Sequence, residues 1–445
     1  MNSGEIIRKL EKENRKLKED YDFALKKLEA KRYKMIDSLV DTAYKIVPKR
    51  KSTPPHLKTE HSRKKSTMNI PNAPRKITKG KVYILSFNFY DWQGKTVYKG
   101  GAERYIYDLA VLLKQLGYRP IILQGANTPF EKTYRGVKIR GIHLTKSESR
   151  YVSGEYNKII QDAEFVIASP VDLACEIYDV LVIGINHGIA FDGPNSKAFA
   201  ESPTGYSIYT DAVLHCDTCV CVDTNFINWI RTRNYDLGAK LTFIPNYYDK
   251  TAFHPIKRRN SKNLTCVYPR RLYSARGYDI TIKAFRKLFK KYPTLHLNFV
   301  GQVDNGKVKK DLEKFKQDFP KNVSHLEYSM KDMPKAYEPA DIVLVPTRYA
   351  EGTSLSCIEG LASGAAVVAT NIGGLPNLII DHYNGLLISP TPEAIVDAIS
   401  ELIDQPELRK KLSQNGQIVA EDAFEKTIWE QRWTSVLKNL ATSAK

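Results

Sequence analysis

The stretch Ile342-Val343-Leu344-Val345-Pro346-Thr347-Arg348-Tyr349-Ala350-Glu351-Gly352-Thr353-Ser354-Leu355-Ser356-Cys357-Ile358-Glu359 reads as one strand, loop and helix. Four aliphatic residues closed by a proline suit a strand buried on both faces, as in a parallel sheet covered by helices. Gly352-Thr353-Ser354 then opens a helix, whose unpaired N–H groups and positive dipole end form a seat for phosphate. Ligands of open parallel sheets lie beyond the carboxyl ends of the strands, so chemistry is sought in this loop. Glu351 stands just before the seat, and Glu359 lies about two turns into the helix. Each carboxylate can accept from ligand hydroxyls. Equally, Glu351 can serve the helix dipole, and Glu359 can lie on an exposed helix face.

Working outward, the same texture recurs. Strands are predicted at 264–268, 295–300 and 366–370, with a helix over 278–290. An earlier series has strands at 82–86, 120–123, 165–168, 180–183 and 218–222, and a helix opening at Gly100-Gly101-Ala102-Glu103 and running to Leu116-Gly117. Alternating strands and helices imply parallel sheets with helices on both faces. The break comes at residues 243–249 and His254-Pro255. The expected fold class is therefore α/β, with two Rossmann-like domains (81–253 and 254–425) facing across a cleft and a last helix over 426–445.

The 445 residues carry 68 Lys and Arg against 49 Asp and Glu, a net charge of +19. Residues 1–80 hold 22 of the basic and 10 of the acidic residues, and within them 45–80 hold 11 and 1. The excess is thus concentrated in a Pro-rich segment, 48–80, that cannot bury enough apolar surface to order itself and reads as a linker. Ahead of it, Ile7, Leu10, Asn14, Leu17, Tyr21, Ala24 and Leu28 keep heptad spacing, with Asn14 at an a position. Residues 1–47 therefore read as a coiled coil followed by an amphipathic helix. A homodimer or a hetero-association is expected through the coil. The basic, amphipathic span 31–80 suits an anionic membrane surface; nucleic acid is the less favoured partner, and an inert spacer is the bland alternative. No apolar run is long enough to span a bilayer, and the charged first thirty residues lack a secretory signal. A cytoplasmic protein, peripheral at the inner face of the cell membrane, is expected.

Arg271 and Arg276, in a loop ending at Gly277, can converge on one anion, since guanidinium is a planar, always-charged donor suited to phosphate. The other reading is two solvated surface arginines. His215, Cys216, Cys219 and Cys221 have the look of zinc ligands, but 218–222 reads as a buried strand and no second Cys/His pair is near, so zinc is set aside. Asp20-Tyr21-Asp22 is the one Asp-x-Asp in the chain and falls in the heptad segment, so no metal and no cofactor are expected.

Together, Glu351-x7-Glu359, Arg271 with Arg276-Gly277, and Gly373-Gly374-Leu375-Pro376 resemble glycosyltransferase family 4, retaining enzymes of the two-Rossmann (GT-B) fold. The first half agrees. Gly100-Gly101-Ala102-Glu103 resembles the family's acceptor-side glycine loop, and Asn186-His187-Gly188 its sugar-contacting histidine segment. Pro245-Asn246 with Asp249 resembles its interdomain stretch, with Tyr247 where the family has Gly. The resemblance runs over about 81–440 and implies a sugar transferred from a nucleotide-diphosphate sugar, a co-substrate. The acceptor would be a hydroxyl of a growing bacterial surface polysaccharide or lipid-linked glycan. It also implies that Arg271 and Arg276 bind the diphosphate with the backbone of Gly352, Thr353, Ser354 and Leu355, that Glu351 orients the sugar, and that Glu359 holds the ribose. Gly277 and Gly301 would flank the donor, His187 would touch the sugar, and Gly100, Gly101 and Asn186 would face the acceptor. Arg276 stands where Lys is usual, and Gly301-Gln302-Val303 lacks the second glycine often present. The last helix, with Trp429 and Trp433, would cross back onto the first domain. The alternatives are a catalytically silent partner subunit that stabilises another transferase and a sugar-nucleotide 2-epimerase on the same fold.

Overall fold

The computed structural model describes residues 79–443 apart from 99, 190–191, 194–202, 257–262 and 330. The coiled-coil, linker and membrane-surface readings of 1–80 lie outside the described residues, save for 79 and 80. The chain forms two parallel-sheet domains. The first sheet has eight strands, β1 (Lys81–Leu85), β2 (Arg119–Ala126), β3 (Phe130–Tyr134), β4 (Val137–His143), β5 (Ala163–Ala168), β6 (Leu181–Asn186), β7 (Thr218–Cys221) and β8 (Leu241–Phe243), in the order β3-β4-β2-β1-β5-β6-β7-β8. The second has β9 (Thr265–Tyr268), β10 (His296–Val300), β11 (Val323–Leu326), β12 (Ile342–Val345), β13 (Ala366–Thr370) and β14 (Leu386–Ile388), ordered β11-β10-β9-β12-β13-β14. All pairings are parallel except β3 with β4. Every residue of β12 and β13 is buried, as expected for strands covered on both faces.

The strand series announced itself by apolar runs; the β3–β4 hairpin did not. Glu131, Lys132 and Thr133 of β3 are exposed, because an edge strand facing water needs no apolar run and is better blunted by charge. Its turn is Arg135-Gly136, both at positive φ (46° and 80°), the geometry of a two-residue hairpin connection. The short strands β8, β11 and β14 were unannounced for the same reason: each lies at a sheet edge and is only partly buried.

The chain passes between the domains twice, side by side. Tyr248 N–H donates to Phe424 O (3.0 Å), and Lys426 N–H donates to Tyr248 O (2.9 Å). Tyr247 packs in the first-domain core, whereas Tyr248 and Phe253 pack with Ala420 and Phe424 in the second. The helix Lys426–Ser443 then places Trp429, Trp433, Val436 and Leu437 in the first-domain core beside Tyr105, Leu109 and Ile244. Cys216, Cys219 and Cys221 lie in the second core cluster of that domain, all buried. No described helix is long and apolar enough to cross a membrane.

Candidate functional site

Two adjoining cavities of about 440 and 470 Å³ lie between the domains, within the usual range for small-molecule sites. They open where the carboxyl ends of β9 and β12 meet the start of the helix Gly101–Gln115. Gly100, Gly101, Arg270, Arg271, Leu355 and Ser356 line both.

On the second domain, Arg271 is exposed and faces both cavities, while Arg276 is partly buried and faces one. Both guanidiniums lie near the Tyr273 ring, 5.7 and 5.5 Å from its centroid. Gly277 turns the chain into the helix Tyr278–Lys291 at φ 79°, and a Cβ there would fall 1.9 Å from Pro346 O. It sits behind the arginines rather than on a cavity wall, so its part is to shape the loop. Gly301 does reach the wall; at φ 153°, it lets Arg270 O approach within 2.3 Å of where a Cβ would be.

The helix Leu355–Ala362 begins one residue later than Ser354, which is its N-cap and gives it no side-chain cap bond. That leaves the first-turn N–H groups facing the cavity that Gly352, Thr353, Ser354 and Leu355 line. The Thr353 hydroxyl is engaged away from the cavity: it accepts from Asn246 N–H (2.9 Å) and donates to Val222 O (2.7 Å), tying this loop to the first domain.

Glu351 is buried and forms an ion pair with Arg270. Thr347 Oγ1 donates to its Oε2 (2.7 Å), and Arg276 Nη1 stands 3.5 Å away. Burial pushes this carboxyl up, but Arg270, Arg276 and Thr347 outweigh it and hold it below the usual range. Glu351 is therefore an anion at the cavity wall, held by the loop around it. Ala350, at φ 58°, makes the bend before it, and its N–H donates to Asp192 Oδ1 (2.8 Å) from the first domain. Gly374 N–H donates to Glu351 O (3.0 Å), and a Cβ on Gly373 would lie 2.1 Å from that oxygen.

Glu359 is buried, not on an exposed face, and lies just over one turn into its helix. Arg104 Nη1 of the first domain donates to its Oε1, and Tyr337 Oη donates to its Oε2, both at 2.7 Å.

From the first domain, His187 lines the same cavity as Glu351 and Arg276. Its Nε2 lies 2.8 Å from Ser169 Oγ, and Tyr105 meets its ring edge-on at 5.2 Å. Burial holds the imidazole down at about 4, so it is neutral at physiological pH. Asn186 departs from its expected place on the acceptor side: it is buried, with Oδ1 accepting from Gly188 N–H (2.9 Å), and it shapes the His187 turn. Gly100 and Gly101 line the cavities as backbone.

Sequence reasoning missed Arg270, Thr347, Arg104 and Asp223. Arg270 was overshadowed by its neighbour Arg271; both lie in the loop just beyond the carboxyl end of β9, where ligands of open parallel sheets are expected. Asp223 caps the helix Thr224–Arg231 through Oδ1, while its Oδ2 is buried without a hydrogen-bond partner. It lies between Gly188 and Gly374, where added Cβ atoms would come within 2.8 Å of it. Burial raises its carboxyl to about 6, with Glu351 and Asp192 adding like-charge repulsion.

A pH test follows. Folded Asp223 holds its proton more tightly than an unfolded carboxyl near 3.8, so its contribution is complete below that value and is lost as pH rises through about 6. His187 runs oppositely: its contribution is complete above 6.5 and is lost as pH falls towards about 4. In the wild type the two largely offset each other. Asp223→Asn is expected to gain stability relative to the wild type by about 2.5 kcal/mol between pH 4 and pH 7.5. Urea unfolding at the two pH values measures this, and a pH-independent difference would refute the buried-carboxyl assignment.

Residues 249–419, most of the second domain, match the family model "Glycosyl transferases group 1". An uncharacterized glycosyltransferase of Haemophilus influenzae is 25% identical over 359 residues, covering 76% of this chain and 96% of that protein. One of Methanocaldococcus jannaschii is 26% identical over 254 residues, 56% of this chain and 66% of its own length. The chain also shares its fold with the Anabaena protein HepE, solved in complex with UDP, at a TM-score of 0.64 and 16% identity, over 81% of this chain and 100% of that one. The sequence matches support glycosyltransferase activity, and the structural likeness shows the GT-B fold.

Proposed function

We propose that the protein is a retaining, metal-independent glycosyltransferase that moves a sugar from a nucleotide-diphosphate sugar to an acceptor hydroxyl. The observation that carries this reading is the convergence, at one interdomain cavity, of Arg271, Arg276 and the uncapped helix start at Ser354 with the anionic Glu351. Breaking the anomeric C–O bond leaves an oxocarbenium-like sugar and a departing diphosphate. Guanidiniums and helix N–H groups stabilise that leaving group as its charge develops. They supply the positive charge that a divalent cation supplies elsewhere.

In this reading Glu351, anchored by Arg270, accepts from sugar hydroxyls and fixes the ring, while Glu359 in the adjoining cavity accepts from the ribose. Neutral His187 contacts the sugar from the opposite domain. The acceptor enters beside Gly100 and Gly101 and attacks from the face that the diphosphate leaves, giving up its proton to the departing phosphate oxygen. Attack on that face retains the anomeric configuration. We further propose a glycan or lipid-linked acceptor, held near an anionic membrane surface by the basic, amphipathic span 31–80.

Titration with UDP, GDP, ADP and TDP, with and without magnesium, tests the reading. One of them is expected to bind in the micromolar range whether or not magnesium is present; a chain that binds none would not be a nucleotide-sugar transferase. Arg276→Ala is expected to weaken that nucleotide by about 30-fold, the loss of one charged hydrogen bond to the diphosphate. It is expected to change binding of the free sugar far less. Equal losses would remove Arg276 from the diphosphate.

A further inference from the structure

Among the described residues, Arg104 is the one cationic side chain of the first domain that lines the cavity holding Glu359. It reaches across the cleft to Glu359 Oε1, and its own placement is braced. The guanidinium lies over the rings of Tyr247 and Phe253, 5.9 and 6.0 Å from their centroids. Tyr247, at the domain crossing, donates its hydroxyl to Asp108, one helical turn beyond Arg104, and Lys426 holds the other Asp108 oxygen at 3.1 Å. Tyr337, which donates to Glu359 Oε2, packs edge-on against the same Phe253 at 5.6 Å.

An ionised carboxylate offers about four acceptor positions. Arg104 and Tyr337 take one on each oxygen, leaving about two for a pair of vicinal hydroxyls. A carboxylate held by two donors has lost its rotamer freedom before the ligand arrives, and pre-organisation of this kind raises affinity by removing the ordering term.

We propose that Arg104 is a positioning residue for the donor: it holds the Glu359 carboxylate from across the cleft, so that ribose hydroxyls meet a preset acceptor when the two domains are together. Ribose capture and domain closure are then one event. The proposal rests on the donor reading of Glu359 given above.

The test compares the tightest binder among UDP, GDP, ADP and TDP with its 2′,3′-dideoxy form, by calorimetry, in the wild type, Arg104→Gln and Arg104→Lys. The wild type is expected to prefer the ribose form by about 30-fold, from two hydrogen bonds at their ordinary net value. Arg104→Gln is expected to weaken the ribose form about tenfold and leave the dideoxy form within about twofold, so that discrimination collapses. Arg104→Lys keeps the charge and restores part of the preference, which also serves should the Gln variant fold poorly. A variant that weakens both forms equally, or neither, would overturn the role of Arg104 alone. A wild type indifferent to the ribose hydroxyls would overturn the ribose reading of Glu359 and this proposal with it. If no nucleotide binds at all, the transferase reading falls first.

Discussion

Glu351→Gln is expected to lower kcat by about 10³-fold while leaving nucleotide diphosphate affinity within about threefold of the wild type. The carboxylate faces the cavity on a wall shared with Arg276 and His187, and its charge is maintained by Arg270, Arg276 and Thr347. An amide of the same shape keeps one acceptor but gives up the charge that would orient and stabilise a sugar becoming cationic at its anomeric carbon. Of the groups proposed to hold the diphosphate, Arg276 stands 3.5 Å from this carboxylate, whereas among the described residues no hydrogen bond or ion pair joins it to Arg271 or the helix start at Ser354, so binding of the leaving group would be largely spared. The same substitution strands the buried Arg270 guanidinium, at a stability loss of about 3–5 kcal/mol. Stability and chemistry are separable: Arg270→Met combined with Glu351→Leu removes both charges, and is expected to recover stability without recovering kcat. Single-turnover rates and urea unfolding on the three proteins decide the matter. Near-normal turnover in Glu351→Gln would end its role in the reaction. A loss of nucleotide affinity matching the loss of kcat would move Glu351 to the diphosphate.

The parts of this molecule that were legible in the sequence are those in which one physical requirement dominates a short stretch. A strand covered on both faces must be apolar throughout, so β1, β12 and β13 were plain, whereas edge strand β3 follows the opposite rule. The loop around Glu351 was legible because glycine, hydroxyl and carboxylate residues cluster where a helix begins. What supports that loop was not legible, because it comes from far along the chain. Arg270 lies 81 residues before Glu351, and Arg104 255 residues before Glu359. A single sequence gives no sign that such residues meet. The same limit applies to Tyr247, which seemed only a departure from a glycine until its ring was found beneath Arg104, and to Asp223, whose buried oxygen at the seam between the domains has no mark in the sequence.

Trp433→Ala is expected to destabilise the first domain by about 3–5 kcal/mol, the range for removing a large buried aromatic. Trp433 is fully buried in the core that contains β1 and β2 residues, although it belongs to a helix that follows the second domain. Its indole Nε1 donates to Tyr105 Oη at 2.8 Å, so Ala removes both the packing and the donor to a buried hydroxyl. Tyr105 in turn meets the His187 ring edge-on. The loss therefore reaches the cavity, through contacts that leave the arginines and the helix start at Ser354 untouched. Urea unfolding is expected to show an early transition for the first domain while that of the second domain stays within error of the wild type. At low urea, where the variant is folded, kcat is expected to fall about tenfold, the consequence of a misplaced positioning group, with nucleotide affinity retained. Trp433→Phe fills most of the space without the N–H, and is expected to fall between the two. If both domains lost stability equally, the last helix would be bracing the molecule as a whole, and its link to His187 through Tyr105 would have no separate consequence.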